Sequence, residues 1–178
     1  VSADGLTVTL SNPMTTSTAS ALVFTGTLTF GSGSPLTSVN DTPSYTPTFS
    51  GAWDLGSSMR TVSVSGASPV GLGLNASILG AGTDGLIKTG NGLLSLTGPG
   101  TFAGGIDLQQ GSVILGTTTL YLGLLTNGPM GVGTLTMSSD AGRLVGANTP
   151  VYNAINVTNP SNTLNIGGVT NANNLTLN

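Results

Sequence analysis

The feature that most constrains this 178-residue chain is the return of short aliphatic alternations at a nearly constant interval. Leu135 and Met137 flank Thr136; the same pattern returns at Ile155 and Val157, and at an equal distance again at Leu175 and Leu177. Going backwards, steps of similar length lead to Val113/Leu115, Leu94/Leu96 and Leu72/Leu74, while Leu144 and Leu164 form a second track with the same spacing. Residues two apart lie on one face of an extended strand, so each pair gives an aliphatic face backed by a hydroxyl or amide face. One face returning about every 20 residues, with two or three short strands per period, predicts an all-β fold. The expected architecture is a single parallel β-helix, or β-solenoid, over residues 1–178, in which Met137, Val157 and Leu177 share one column.

Composition agrees with stacked strands. No window gathers helix formers at a 3.6 period, and 28 glycines with 9 prolines interrupt the alternation. Only 5% of residues are charged. Like neighbours line up along a parallel ladder, which Thr and Ser tolerate and like charges do not. The acids are all Asp, and the absence of His and Cys removes Ser-His-Asp and Cys-His nucleophile systems, the usual transition-metal sites and any disulfide. A net charge of −3 and a pI near 4.1 offer no basic field, so no nucleic-acid partner is expected. The mean hydropathy of +0.30 reflects missing charge. No apolar run approaches the ~20 residues of a spanning helix, so no membrane insertion is expected of this segment. The chain begins at Val1 without a signal-type leader and stops within an alternating pattern, which reads as a processed product or a slice of something longer.

One segment departs from the beat. Residues 32–53 carry Pro35, Pro43 and Pro47 with Tyr45, Phe49 and Trp53, and Pro has no N–H to donate inside a ladder. The expectation is a loop or cap protruding from the stack. Its three aromatic rings are the candidate ligand contacts, suited to stacking on sugar rings. Chemistry is otherwise sparse. The six Asp, at 4, 41, 54, 84, 107 and 140, are too dispersed to bring two carboxylates to one coil, so they read as solvated surface groups and no catalytic residue, cofactor or metal is expected. Only Asp107 clearly lies on an outward strand face. Residues 80–85, GAGTDG, formally contain G-x-G-x-x-G and a fragment of a calcium-turn pattern, but a strand follows rather than a helix and no second copy exists, so a corner turn is expected.

Residues 85–116 carry a further pattern: GLIKTGNGLLSLTG at 85–98, TFAGGI at 101–106 and GSVILG at 111–116. This resembles the autotransporter-associated β-strand repeat of bacterial surface proteins, with Phe102 where Tyr is common and Ile106 where Thr is common. NGPMGVGTLTM at 127–137 and NAINV at 153–157 look like its continuation, so residues 85–178 are covered and 1–84 match in style alone. The resemblance implies a right-handed parallel β-helix, export, and an extracellular or outer-surface location on a bacterium. It brings no catalytic residue, and it places Lys88 at a corner.

Together these expectations describe a non-catalytic structural segment that stacks end to end into a fibre or stalk. A solenoid exposes unpaired strands at both ends, which makes Leu6, Val8 and Leu10 at one end, and Leu175 and Leu177 at the other, the candidate self-association residues. The alternative is an adhesin whose 32–53 loop contacts a surface glycan or host matrix. A polysaccharide lyase or hydrolase on the same fold is a more remote third.

Overall fold

The computed structural model describes residues 52–158, except 57, 67–69, 81, 117–118, 122, 140 and 146–148, together with short strands before and after them. In chain order the strands are β1 (Ser2–Ala3), β2 (Val8–Asn12), β3 (Val23–Phe24), β4 (Leu28–Phe30), β5 (Leu36–Asn40), β6 (Thr48–Phe49) and β7 (Ala52–Asp54). There follow β8 (Met59–Ser65), β9 (Leu72–Leu74), β10 (Ser77–Leu79), β11 (Gly85–Thr89), β12 (Leu93–Leu96), β13 (Ile106–Leu108) and β14 (Gly111–Leu115). The last are β15 (Thr119–Tyr121), β16 (Leu124–Asn127), β17 (Leu135–Met137), β18 (Gly142–Val145), β19 (Thr149–Val151), β20 (Ile155–Val157) and β21 (Leu175–Leu177). The protein is all-β, with no helix among the described residues.

The strands enter three parallel sheets in rotation. β1, β4, β7 and β10 form the first sheet; β2, β5, β8, β11, β13, β17 and β20 the second; and β3, β6, β9, β12, β14 and β18 the third. From β1 to β12 the chain visits first, second and third sheet in strict order four times. An isolated parallel bridge from Ile78 to Gly100 carries the first sheet one step further.

Within each strand the alternation decides which face is buried. In β8, Arg60, Val62 and Val64 point inward while Thr61, Ser63 and Ser65 are half-buried on the other side. Trp53 and Ile78 of the first sheet, Val62, Leu86, Leu108 and Met137 of the second, and Leu72, Leu94 and Val113 of the third belong to one hydrophobic cluster. Fully burying such a side chain contributes about 1.5–3 kcal/mol, so the cluster, rather than any loop, holds the three sheets to one another.

The register bears out part of the spacing and corrects the rest. Leu72 lies beside Leu94, Leu94 beside Val113, and Leu135 beside Ile155, as the sequence intervals predict. The step from Val113 to Leu135 fails, because these residues occupy different sheets: Leu135 pairs with Ile106 and Val113 with Leu144. Between Val113 and Leu144, β15 and β16 form an antiparallel hairpin, which lengthens that return. Leu177 pairs with Val151 rather than joining the Met137–Val157 column. Leu164 lies outside the described residues.

Part of the expected protrusion at residues 32–53 is strand instead: β5, β6 and the start of β7 lie there, each paired in parallel on both sides, while 32–35, 41–47 and 50–51 lie outside the described residues. Pro35, Pro43 and Pro47 lie outside the described residues.

Candidate functional site

The most organised polar region is the turn that joins second-sheet strands to third-sheet strands. Gly90, in the β11–β12 connection, and Gly111, the first residue of β14, both take positive φ values of 74° and lie against one another. A Cβ at Gly111 would meet the Gly90 and Gly92 carbonyl oxygens and the Lys88 amine, so only glycine fits the bend. Backbone bonds stack the turns: Gln109 N donates to Lys88 O at 3.0 Å, Ser112 N to Gly92 O at 3.3 Å, and Gly111 N to Ala141 O at 2.9 Å.

Lys88 secures this corner from inside. Its strand position points inward, it is fully buried, and its amine donates to the carbonyl oxygens of Thr89 at 2.7 Å, Gly90 at 2.8 Å and Gln110 at 3.0 Å. Three N–H donors thus meet three carbonyls from two successive turns. Burial pushes the amine down from 10.5 to about 8, while the three carbonyls favour its charged form. The corner placement implied for Lys88 agrees with this geometry; its complete burial was not legible from the sequence. Asn153, which the sequence did not single out, acts similarly one connection away: its Nδ2 donates to Gly131 O at 3.2 Å and Gly133 O at 2.8 Å.

Outside the same corner lie two adjoining hollows of about 570 and 430 Å³ that share Gln110 and Ala141. Beside them Asp107, outward-facing as expected, accepts from Gln109 Nε2 at 2.8 Å and from Ser138 Oγ at 2.5 Å, which ties β13 to the residue after β17.

The sequence-derived candidates fare unevenly. Trp53 is 1% exposed and lies within the hydrophobic cluster, so it presents no ring to a ligand; a strand flanked on both sides has carried it into the core. Phe49 lies on β6, and Tyr45 falls outside the described residues. Val8 and Leu10 lie on β2, the edge strand of the second sheet among the described residues, and Leu175 and Leu177 lie on β21, which pairs with β19; Leu6 is outside the described residues. Asp84 corrects the expectation of solvated carboxylates: it is fully buried and neither side-chain oxygen has a hydrogen-bond partner. Within the GAGTDG segment the backbone bends at Gly82, with φ 97°, and at Thr83 before β11, and Ala81 lies outside the described residues. Gly80 leaves the space that the Asp84 carboxylate fills. Among the described residues no three His, Cys, Asp or Glu side chains gather.

No family model, no curated protein and no solved structure matches the chain. The likeness to the autotransporter-associated repeat therefore rests on the residues quoted for it alone.

Proposed function

We propose that this chain is a non-catalytic structural segment of an extracellular bacterial surface protein, built as a right-handed parallel β-solenoid that extends end to end into a stalk or fibre. The observation that carries this is the strict rotation of β1 to β12 through three parallel sheets around one aliphatic cluster. A chain that returns to each sheet in turn, always in parallel and always beside its predecessor, winds in one sense, and parallel crossover connections are right-handed in nearly all proteins. Bacterial surface location is supported by the repeat-like residues 85–116. End-to-end extension is supported by β2, whose backbone lies at the edge of its sheet among the described residues and carries Val8 and Leu10.

Electron microscopy of the purified protein tests both parts. Single particles are expected to be rods, the seven strands of the second sheet spanning about 30 Å at ~4.8 Å per strand. Raising the concentration is expected to join them into uniform filaments. The double substitution Thr9→Lys and Ser11→Lys, which spares the aliphatic pair Val8 and Leu10, places like charges on the edge strand and is expected to leave rods but abolish filaments. Globular particles overturn the solenoid. Rods that never lengthen, or filaments indifferent to the lysines, overturn association through this edge.

A further inference from the structure

The outer corner between the second and third sheets has the chemistry of a sugar-binding surface. Its two hollows are lined by the carboxamides of Asn91, Gln109 and Gln110 and the hydroxyls of Thr89, Ser112 and Ser139. Each of these groups both donates and accepts, which is what a ring of neighbouring hydroxyls requires. Among the described residues no carboxylate lines the hollows, Asp140 between Ser139 and Ala141 lying outside those residues, and Arg143 contributes a single guanidinium to one of them. With a chain charge of −3, one cation does not build a field for a polyanion.

Competing ligand classes fit poorly. An extended peptide needs unpaired backbone on which to add a strand, whereas the backbone here is already bonded from turn to turn, through Gln109, Gly111 and Ser112. The lining is small or polar, so no apolar anchor pocket is offered.

Two further observations concern preorganisation. Lys88 fixes the carbonyls of Thr89, Gly90 and Gln110 from beneath. Asp107 holds the Gln109 amide and the Ser138 hydroxyl, so these side chains are oriented before any ligand arrives. Polar groups that are already ordered lose less conformational entropy on binding. Ala141, which is exposed, keeps the hollow open where a larger side chain would fill it.

We propose that this corner binds a neutral oligosaccharide laid along the three successive turns at residues 89–91, 109–112 and 138–139 with 141–143. Turns stacked at the inter-strand distance of about 4.8 Å present their amides and hydroxyls at a repeat comparable to that of linked pyranose rings. The site depends on the local stacking of these turns and stands whether or not the chain builds filaments. It also moves the glycan contact away from the aromatic segment around Trp53, whose ring is buried.

The test is an array of neutral, sialylated and sulfated glycans, followed by ¹H–¹⁵N titration with cellohexaose, maltohexaose, chitohexaose and any neutral array hit. Binding of at least one neutral glycan is expected, with amide shifts confined to those three turns. Ala141→Trp fills the hollow at an exposed position and is expected to abolish those shifts with an unchanged circular dichroism spectrum. Gln110→Ala, which perturbs the fold less, is expected to weaken binding by about tenfold. Binding of charged glycans alone, shifts elsewhere, affinity unaltered by both variants, or no response to any neutral glycan each overturns the proposal.

Discussion

At the scale of single residues, Lys88 is the group on which the corner turns. It is the sole lysine in the chain, which makes it unusually accessible to experiment. Replacing it by Met keeps the apolar stem and removes the donors, leaving the carbonyls of Thr89, Gly90 and Gln110 without this partner. An orphaned buried acceptor costs about 1–3 kcal/mol, so Lys88→Met is expected to lower unfolding free energy by about 3 kcal/mol in urea titrations. The pH dependence has a definite sign. Because burial holds the folded amine down at about 8, against 10.5 for the free group, the unfolded chain binds the proton more tightly between these values. Stability is therefore expected to rise with pH from about 8 towards 10.5, by at most about 1.4 kcal/mol per pH unit. Urea titrations at pH 7, 8, 9 and 10 measure it; the slope should vanish in Lys88→Met. A wild-type slope of opposite sign would mean that the three carbonyls outweigh desolvation.

At the scale of elements, the sequence disclosed strands more faithfully than their connections. The inward rows of β12, β13 and β17 were legible because period-2 alternation survives even in very short segments. The strands within residues 32–53 were missed because proline and aromatic density resembles a loop when strands are this brief. The sequence offered no reading of β15 and β16, which pair with one another around Gly123, whose φ is 83°, and Leu124 is 70% exposed. Pairing partners are set by tertiary register, which local alternation does not encode. The burial of Asp84 was not legible for the same reason, since burial is a property of the assembled sheets. Trp53, the sole tryptophan, distinguishes the protruding and the packed versions of β7. Its fluorescence is expected to be blue-shifted, resistant to iodide quenching and unchanged by the saccharides tested above. Trp53→Ala is expected to cost about 3–5 kcal/mol by opening a core cavity. Emission like that of the unfolded chain would restore the loop.

At the scale of the whole molecule, the proposed solenoid makes a distinctive promise: each circuit should contact mainly the circuits before and after it. The returns need not be equal. Arg60 lies beside Leu86 and Leu86 beside Ile106, the first of these steps being the longer. Extra residues go into the turns while the inward rows stay aligned, which explains why a fixed ruler found several columns and missed others. It follows that one complete circuit is removable. Deleting residues 86–105 joins Gly85 to Ile106, and the neighbours of the lost strands are then brought together: Ile106 takes the place of Leu86 beside Arg60, and Val113 that of Leu94 beside Leu72. The shortened chain is expected to keep its β-type circular dichroism and a cooperative urea transition, with a smaller m-value in proportion to the surface no longer buried. Deleting residues 85–92 is the informative counterpart. It removes β11 and the turn after it but retains β12, so the chain passes from the first sheet to the third without visiting the second and inward rows face the wrong neighbours. This partial deletion is expected to lose the cooperative transition. In a closed sandwich the central strands have no interchangeable successors, and both deletions would unfold; survival of the full-circuit deletion alone distinguishes a winding chain from such a closed one.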